Sequence, residues 1–284
     1  MNSSKNCHNQ LIKIFPDFSE SISLENLFLH QNLRKLGSNL RPFVYANFIT
    51  SLDGRISLVH SKTKAHVVPE AIGNKRDWRL FQELAAQADG ILVSGRYMRQ
   101  LAQNTAQDGF PISTKSSYQD LIKWRVSQGL SPQPAIIIIS SSLDFTLSEK
   151  LLDSDRSIYV ATGSDGNLEK IQKLEEKGAR IIIAGSGAQV KGQQLITMLG
   201  QIGMKTIYMA AGSQVFHTLV KNNQIDRLYL THALKLLGGT DFDTLLTGKQ
   251  LIIPTEFKLH ALYYDSKINE NEINQLFAIY DRCS

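Results

Sequence analysis

Residues 206–234, TIYMAAGSQVFHTLVKNNQIDRLYLTHAL, decide the fold class. TIYMA is a short, β-rich apolar run, and Ala210-Ala211-Gly212-Ser213-Gln214 is a turn of small residues. VFHTLVKNN then reads as a helix and RLYLTHAL as a second strand. Two strands joined through a helix run parallel, because the helix carries the chain back across the sheet.

The same order recurs upstream. After Arg41-Pro42, FVYANFIT reads as a first strand. NKRDWRLFQELAAQA places Trp78, Phe81, Ala85 and Ala88 on one helical face and runs into GILV, a buried strand. SYQDLIKWRVSQG is a further helix. The run AIIIIS after it, apolar on both faces, is what a central parallel strand needs. SIYVA, LEKIQKLEEKG, RIIIA and QLITMLGQIG follow as strand, helix, strand and helix. This alternation predicts an α/β protein whose sheet is covered on both faces. At the end the pattern changes. EFKLHALYYDS and QLFAIYDR, separated by the polar SKINENEIN, leave no room for a crossover helix and should pair antiparallel at one sheet edge. The expected architecture is three layers, α/β/α, with a mixed, mostly parallel sheet and a C-terminal antiparallel hairpin.

Residues 1–40 read differently. In SLENLFLHQNLRKL, Leu24, Leu27, Phe28 and Leu36 lie near helical spacing, with Gly37 as a stop. The segment predicts an N-terminal helical extension over 1–40, docked on a main domain of 41–284.

A chain of 284 residues fits one large domain or one with an extension, and its 42% hydrophobic share suffices for a sizeable core. The formal charge of +5 suits an anionic ligand such as a dinucleotide or a phosphorylated substrate. Lys and Arg are spread along the chain with no zinc-finger or aromatic RNA-binding signature, which argues against nucleic acid. Cys7 and Cys283 stand at opposite ends, so a disulfide framework is excluded and a cysteine metal site nearly so. The start MNSSKNCHNQLIKIF has no apolar signal region and no run reaches membrane length, so a cytoplasmic protein away from membranes is expected.

Four strand ends carry polar turns. RPFVYANFITSLDGRISL, residues 41–58, delivers Thr50, Ser51, Asp53 and Arg55 to a turn opened by Gly54. Ligands of open α/β sheets sit beyond the carboxyl ends of strands, where this loop falls. A bare Asp-Gly turn with a solvated Arg55 explains the segment about as well. The Gly212 turn lets a ligand approach the backbone, and the free amides of the following helix can bind phosphate; packing alone also produces such turns. Ser94-Gly95-Arg96-Tyr97 repeats the geometry after GILV, with Arg96 available for a phosphate. Ala184-Gly185-Ser186-Gly187 begins a dinucleotide fingerprint, but the final position is Val190. Histidines such as His217 and His232 read as packed or solvated, Ser213 lacks a hydrolase elbow, and Trp78, Trp124 and Phe145 read as core.

Taken in order, SLDGR after a strand, AQADGILVSG, and MAAGSQVFHTLVKNNQIDRLYLTHALKLLGG resemble the reductase domain of riboflavin-biosynthesis deaminase–reductases over residues 41–284. The deaminase half is absent, since neither His-x-Glu nor Pro-Cys-x-x-Cys occurs. The resemblance implies a dihydrofolate-reductase-like fold, NADPH as hydride donor, a homodimer, and reduction of a ribosylated aminopyrimidine to its ribitol form. Carried onto these residues, it implies a cofactor groove of Gly212, Ser213, Gln214 and Val215 with Ser94, Gly95 and Ser140. Asn47, Ser51 and Asp53 would face the substrate, with Asp53 as the catalytic group. Arg55 or Arg96 would meet a phosphate. Two departures stand out: Asn47 where many bacterial members have Lys, and Ala210 where the family turn carries Glu. Reduction of another pterin or pyrimidine, or nucleotide binding without catalysis, are the alternative functions.

Overall fold

The computed structural model describes residues 10–62, 64–106, 109–266 and 273–283. The chain opens with β1 (Gln10–Phe15), β2 (Ser19–Ser23), β3 (Phe43–Ser51), β4 (Ser57–Val59) and β5 (His66–Val67). Then come α1 (Lys75–Ala86), β6 (Gly90–Ser94), α2 (Gly95–Ala102), α3 (Gln119–Ser127), β7 (Ala135–Ile139) and α4 (Glu149–Leu152). The middle continues with β8 (Ile158–Thr162), α5 (Leu168–Glu176), β9 (Arg180–Ile183), α6 (Gly192–Gln201), β10 (Thr206–Met209) and α7 (Ser213–Val220). The chain finishes with β11 (Arg227–Ala233), β12 (Phe242–Asp243), β13 (Phe257–Asp265) and β14 (Gln275–Arg282).

An 11-stranded sheet runs β2-β1-β13-β14-β11-β3-β10-β6-β7-β8-β9. From β11 to β9 the neighbours are parallel, and from β11 back to β2 they are antiparallel. The isoleucine run is β7, held between β6 and β8, and its Ile136, Ile137 and Ile138 are fully buried. Burial of each such side chain contributes about 1.5–3 kcal/mol. Strand alternation sorts the core into two layers. On β3, Tyr45 packs with Leu80 and Leu84 of α1 and with Leu121 of α3, whereas Val44, Ala46 and Phe48 pack with α6 and α7. The mixed sheet, its helices on both faces and the β13–β14 hairpin agree with the sequence reading.

Two expectations need correction. The N-terminal helix is replaced by single 3₁₀ turns at Leu29–Gln31 and Leu33–Lys35. Asn26 (φ 65°) and Asn32 (φ 48°) are left-handed and interrupt any longer helix. The backbone from Asn26 to Leu33 is captured by α1 and its C-cap. Buried Glu83 accepts the amides of Asn26 (2.7 Å) and Phe28 (3.0 Å), and Gln87 accepts that of Leu33 (3.0 Å). Leu24, Leu27 and Phe28 are buried as their apolar character predicts, and Leu33 is buried with them, while Leu36 stays half exposed. Secondly, the C-terminal hairpin is not the sheet edge, because β1 pairs with β13 and β2 pairs with β1. Most of SKINENEIN, between the hairpin strands, lies outside the described residues, as does Cys7.

A second, three-stranded sheet, β12-β4-β5, stands beside the carboxyl ends of the parallel strands. None of the described helices is long and apolar enough to cross a membrane.

Candidate active site

Where the parallel strands end, a cavity of about 580 Å³ opens between α1, the main sheet and the small sheet. Strand alternation supplies its floor: Asn47 and Ile49 of β3 and Ile91 and Val93 of β6 line it. From α1 come Asp77, Trp78 and Phe81, the two rings stacked at 4.8 Å and 10°. Ala210, Ala211 and Gly212 close the side beneath β10.

Asp77 is the most perturbed acid in this wall. Burial pushes its carboxyl up to about 6, against the opposing pull of a hydrogen bond. The donor is the Thr231 hydroxyl of β11, at 2.5 Å. Behind Asn47, the fully buried Tyr208 hydroxyl makes no well-formed hydrogen bond although the Asn47 side chain is beside it. Desolvation holds that phenol well above its ordinary range, so it remains a neutral donor. The sheet face of the cavity thus presents the Asn47 amide and the Asp77 carboxyl beside the Trp78 and Phe81 rings, with the Tyr208 phenol buried beneath.

The opposite side is built for anions. Gly212 is the N-cap of α7, in extended backbone. The amides of Val215 and Phe216 return to its carbonyl at 3.1 and 3.2 Å, leaving Ser213 and Gln214 as the first-turn donors. A Cβ on Gly212 would stand 3.0 Å from the Arg96 guanidinium, so the cation lies directly over the turn. Bare backbone amides, a cation and a small-residue turn fit a dinucleotide phosphate. Asp243 of β12 holds this corner together. Its Oδ2 accepts the Ser57 hydroxyl at 2.9 Å and lies 2.8 Å from His66 Nδ1 and 3.5 Å from Arg96 Nη2.

Of the residues singled out in sequence, Asn47, Ser94, Arg96 and Gly212 line the cavity, and Ser213 and Gln214 adjoin it through the helix start. The Val215 amide is spent inside the helix, which removes it as a phosphate donor. Ser94 also caps α2 by accepting the Tyr97 amide at 3.2 Å. Gly95 and Ser140 stand off the cavity wall and pack on each other: a Cβ at Gly95 would come 2.9 Å from the Ser140 hydroxyl, which itself caps Leu143. Close packing explains this glycine.

The SLDGR turn is likewise off the cavity wall. The Asp53 carboxylate takes a short hydrogen bond from Ser51 and accepts the amides of Leu237 (3.1 Å) and Gly238 (2.8 Å). Arg55 pairs with it at 3.0 Å. The Ser51 and Gly238 hydrogen bonds lead in holding this carboxyl down to about 2, so it stays ionised at neutral pH. Arg55 turns toward Gly239 and the Phe242 ring, at 3.3 and 4.3 Å. Together the three side chains clasp the β3–β4 turn to the segment before β12.

Asp77, His66 and Asp243 were not found in the sequence. Asp77 had a signal, because it sits four residues before Phe81, on the buried stripe of α1. Trp78, read as core, lines the cavity instead. Among the described residues no cluster of His, Cys, Asp and Glu is arranged to hold a metal.

Comparison with known proteins places this geometry. The profile of the RibD C-terminal domain matches residues 42–266. A 2,5-diamino-6-ribosylamino-4(3H)-pyrimidinone 5′-phosphate reductase from Archaeoglobus fulgidus is 24% identical over 213 residues, covering 75% of this chain and 90% of that protein. The Aquifex aeolicus protein of the same name is 22% identical, covering 74% of this chain and 84% of its own. Among solved structures, a pyrimidine reductase-like protein from Corynebacterium diphtheriae superposes with a TM-score of 0.64 at 20% identity, over 86% of this chain and 92% of that one. The riboflavin biosynthesis reductase of Saccharomyces cerevisiae gives 0.56 at 17% identity, over 91% and 99%.

Proposed function

From its membership of the RibD C-terminal domain family, we propose that this chain is an NADPH-dependent reductase of a ribosylated aminopyrimidine phosphate, of the riboflavin-pathway kind. The observation that carries the reading is one cavity with two chemically different ends. The Gly212 turn and Arg96 suit dinucleotide phosphates, and Asp77 with Asn47 suits the hydrogen-bonding edge of a pyrimidine. The names of the A. fulgidus and A. aeolicus relatives supply the substrate class.

In this reading the Ser213 and Gln214 amides and the Arg96 guanidinium bind the dinucleotide, which supplies the hydride when bound. Trp78 and Phe81 exclude water from the ring they cover. Asp77, in its protonated form, donates to a ring carbonyl or nitrogen; ionised, it accepts from a ring amino group. Asn47 orients the same edge. Ser51, Asp53 and Arg55 are positioning residues that fix the β3–β4 turn to the segment before β12. Residues 1–40 brace α1 as an extension of the 41–284 reductase unit. A cytoplasmic homodimer is the assembly that the family resemblance suggests.

Ala210, at the turn position where the family has an acid, favours a second reading: reduction of a different pyrimidine or pterin. The test is a substrate panel with NADPH oxidation as readout. Turnover of the ribosylated diaminopyrimidinone phosphate, well above any other ring, is the expected result. Turnover confined to pterins would give the second reading, and none on any ring would reject both.

A further inference from the structure

We infer that His66, held by Asp243, is the proton donor that opens the substrate's ribose ring. The inference rests on the reductase reading, because reducing a ribosylamine to a ribitylamine needs an acid as well as a hydride. The furanose C1′–O4′ bond must break, and its electron pair leaves on O4′, which takes a proton. The lone pair of the exocyclic nitrogen closes a C1′=N bond. Hydride added at C1′ then restores the amine. One hydride and one proton enter the substrate, and solvent reprotonates the acid.

The structure offers a donor with the right neighbours. His66 and Asp243 both line the cavity, on the small sheet that faces the ends of the parallel strands. Asp243 Oδ2 lies 2.8 Å from Nδ1, so in the imidazolium form the Nδ1 side faces the carboxylate and Nε2–H is the proton offered to a ligand. The carboxylate is itself fixed by the Ser57 hydroxyl. A base oriented by a carboxylate that a third group holds is the arrangement of acid–base dyads generally. Arg96 ties the pair to the Gly212 turn, where the redox partner's phosphates would sit. The charged groups around His66 are Asp243 from β12, Arg96 from α2, and Glu70, Lys75 and Asp77 in the cavity wall. Asp53, by contrast, is committed to backbone amides and holds no proton to give at neutral pH.

The experiment uses the full chain, the ribosylated diaminopyrimidinone phosphate and NADPH. His66→Gln should lower kcat by about a hundredfold. It should also abolish the alkaline limb of the kcat–pH profile, with NADPH affinity by calorimetry unchanged. Imidazole should restore turnover to His66→Ala. A variant that keeps the limb, or loses less than tenfold in kcat, overturns the inference. If wild type itself fails to turn over, the function reading has failed and ¹⁵N NMR decides the dyad alone. A neutral His66 protonated at Nδ1, altered by Asp243→Asn, supports it; protonation at Nε2 refutes it.

Discussion

Replacing Asp77 with Asn separates the function of that carboxyl from its cost. An ordinary aspartate loses its proton near 3.8, whereas burial holds this one to about 6. Below pH 4 both folded and unfolded chains carry the proton, and Asp77 costs nothing. As the pH rises from 4 to 6 the unfolded chain ionises freely and the folded chain does not, so stability falls. Above 6 the full cost is present. Roughly two pKa units correspond to about 3 kcal/mol, an upper bound where water in the cavity solvates the charge. Asparagine keeps an oxygen for the Thr231 hydroxyl. Asp77→Asn should therefore raise stability by up to about 3 kcal/mol at pH 8 and by almost nothing at pH 4. Urea unfolding at the two pH values measures this. The same variant should lose turnover about a hundredfold while binding NADPH normally, the trade expected when a site is maintained against stability. A variant destabilised at pH 8, or shifted equally at both pH values, would refute the argument.

Three further substitutions test the remaining parts. Gly212→Ala puts a methyl against the Arg96 guanidinium in backbone that any residue adopts; stability should change by less than about 0.5 kcal/mol, and NADPH affinity should drop about tenfold by calorimetry. Arg96→Gln should weaken NADPH about ten- to a hundredfold and flatten the salt dependence of binding, measured by titration at two ionic strengths. Glu83→Ala strips the Asn26 and Phe28 amides of their acceptor and should cost about 3 kcal/mol in urea unfolding. That loss would show that the N-terminal segment is part of the folding unit.

The sheet was legible because its signals are local. The isoleucine run of β7 and the Gly212 strand–turn–helix each carry their own periodicity, and tertiary packing agrees with it. The N-terminal segment was not legible, because its conformation is set by Glu83 and Gln87, more than fifty residues along the chain. Leu24, Leu27 and Phe28 announced burial correctly but could not announce left-handed Asn26 and Asn32. The site divided in the same way. Ser94, Arg96 and Gly212 follow from the rule that ligands gather at strand ends, whereas Asn47, in mid-strand, came from the family resemblance. SLDGR obeys that rule too, yet its carboxylate is consumed by Leu237 and Gly238, whose approach depends on the whole β11–β12 connection. His66 and Asp243 meet only through a sheet of strands two and three residues long, too short to leave a period in the sequence.

The central claim, that one cavity brings a reduced nicotinamide dinucleotide to a ribosylated pyrimidine, is tested most directly by mass spectrometry of the product. With NADPH carrying deuterium at both hydrogens of nicotinamide C4, the claim predicts a ribitylated product carrying the label at C1′. Unlabelled product, or substrate returned unchanged while calorimetry shows the dinucleotide bound, would contradict it.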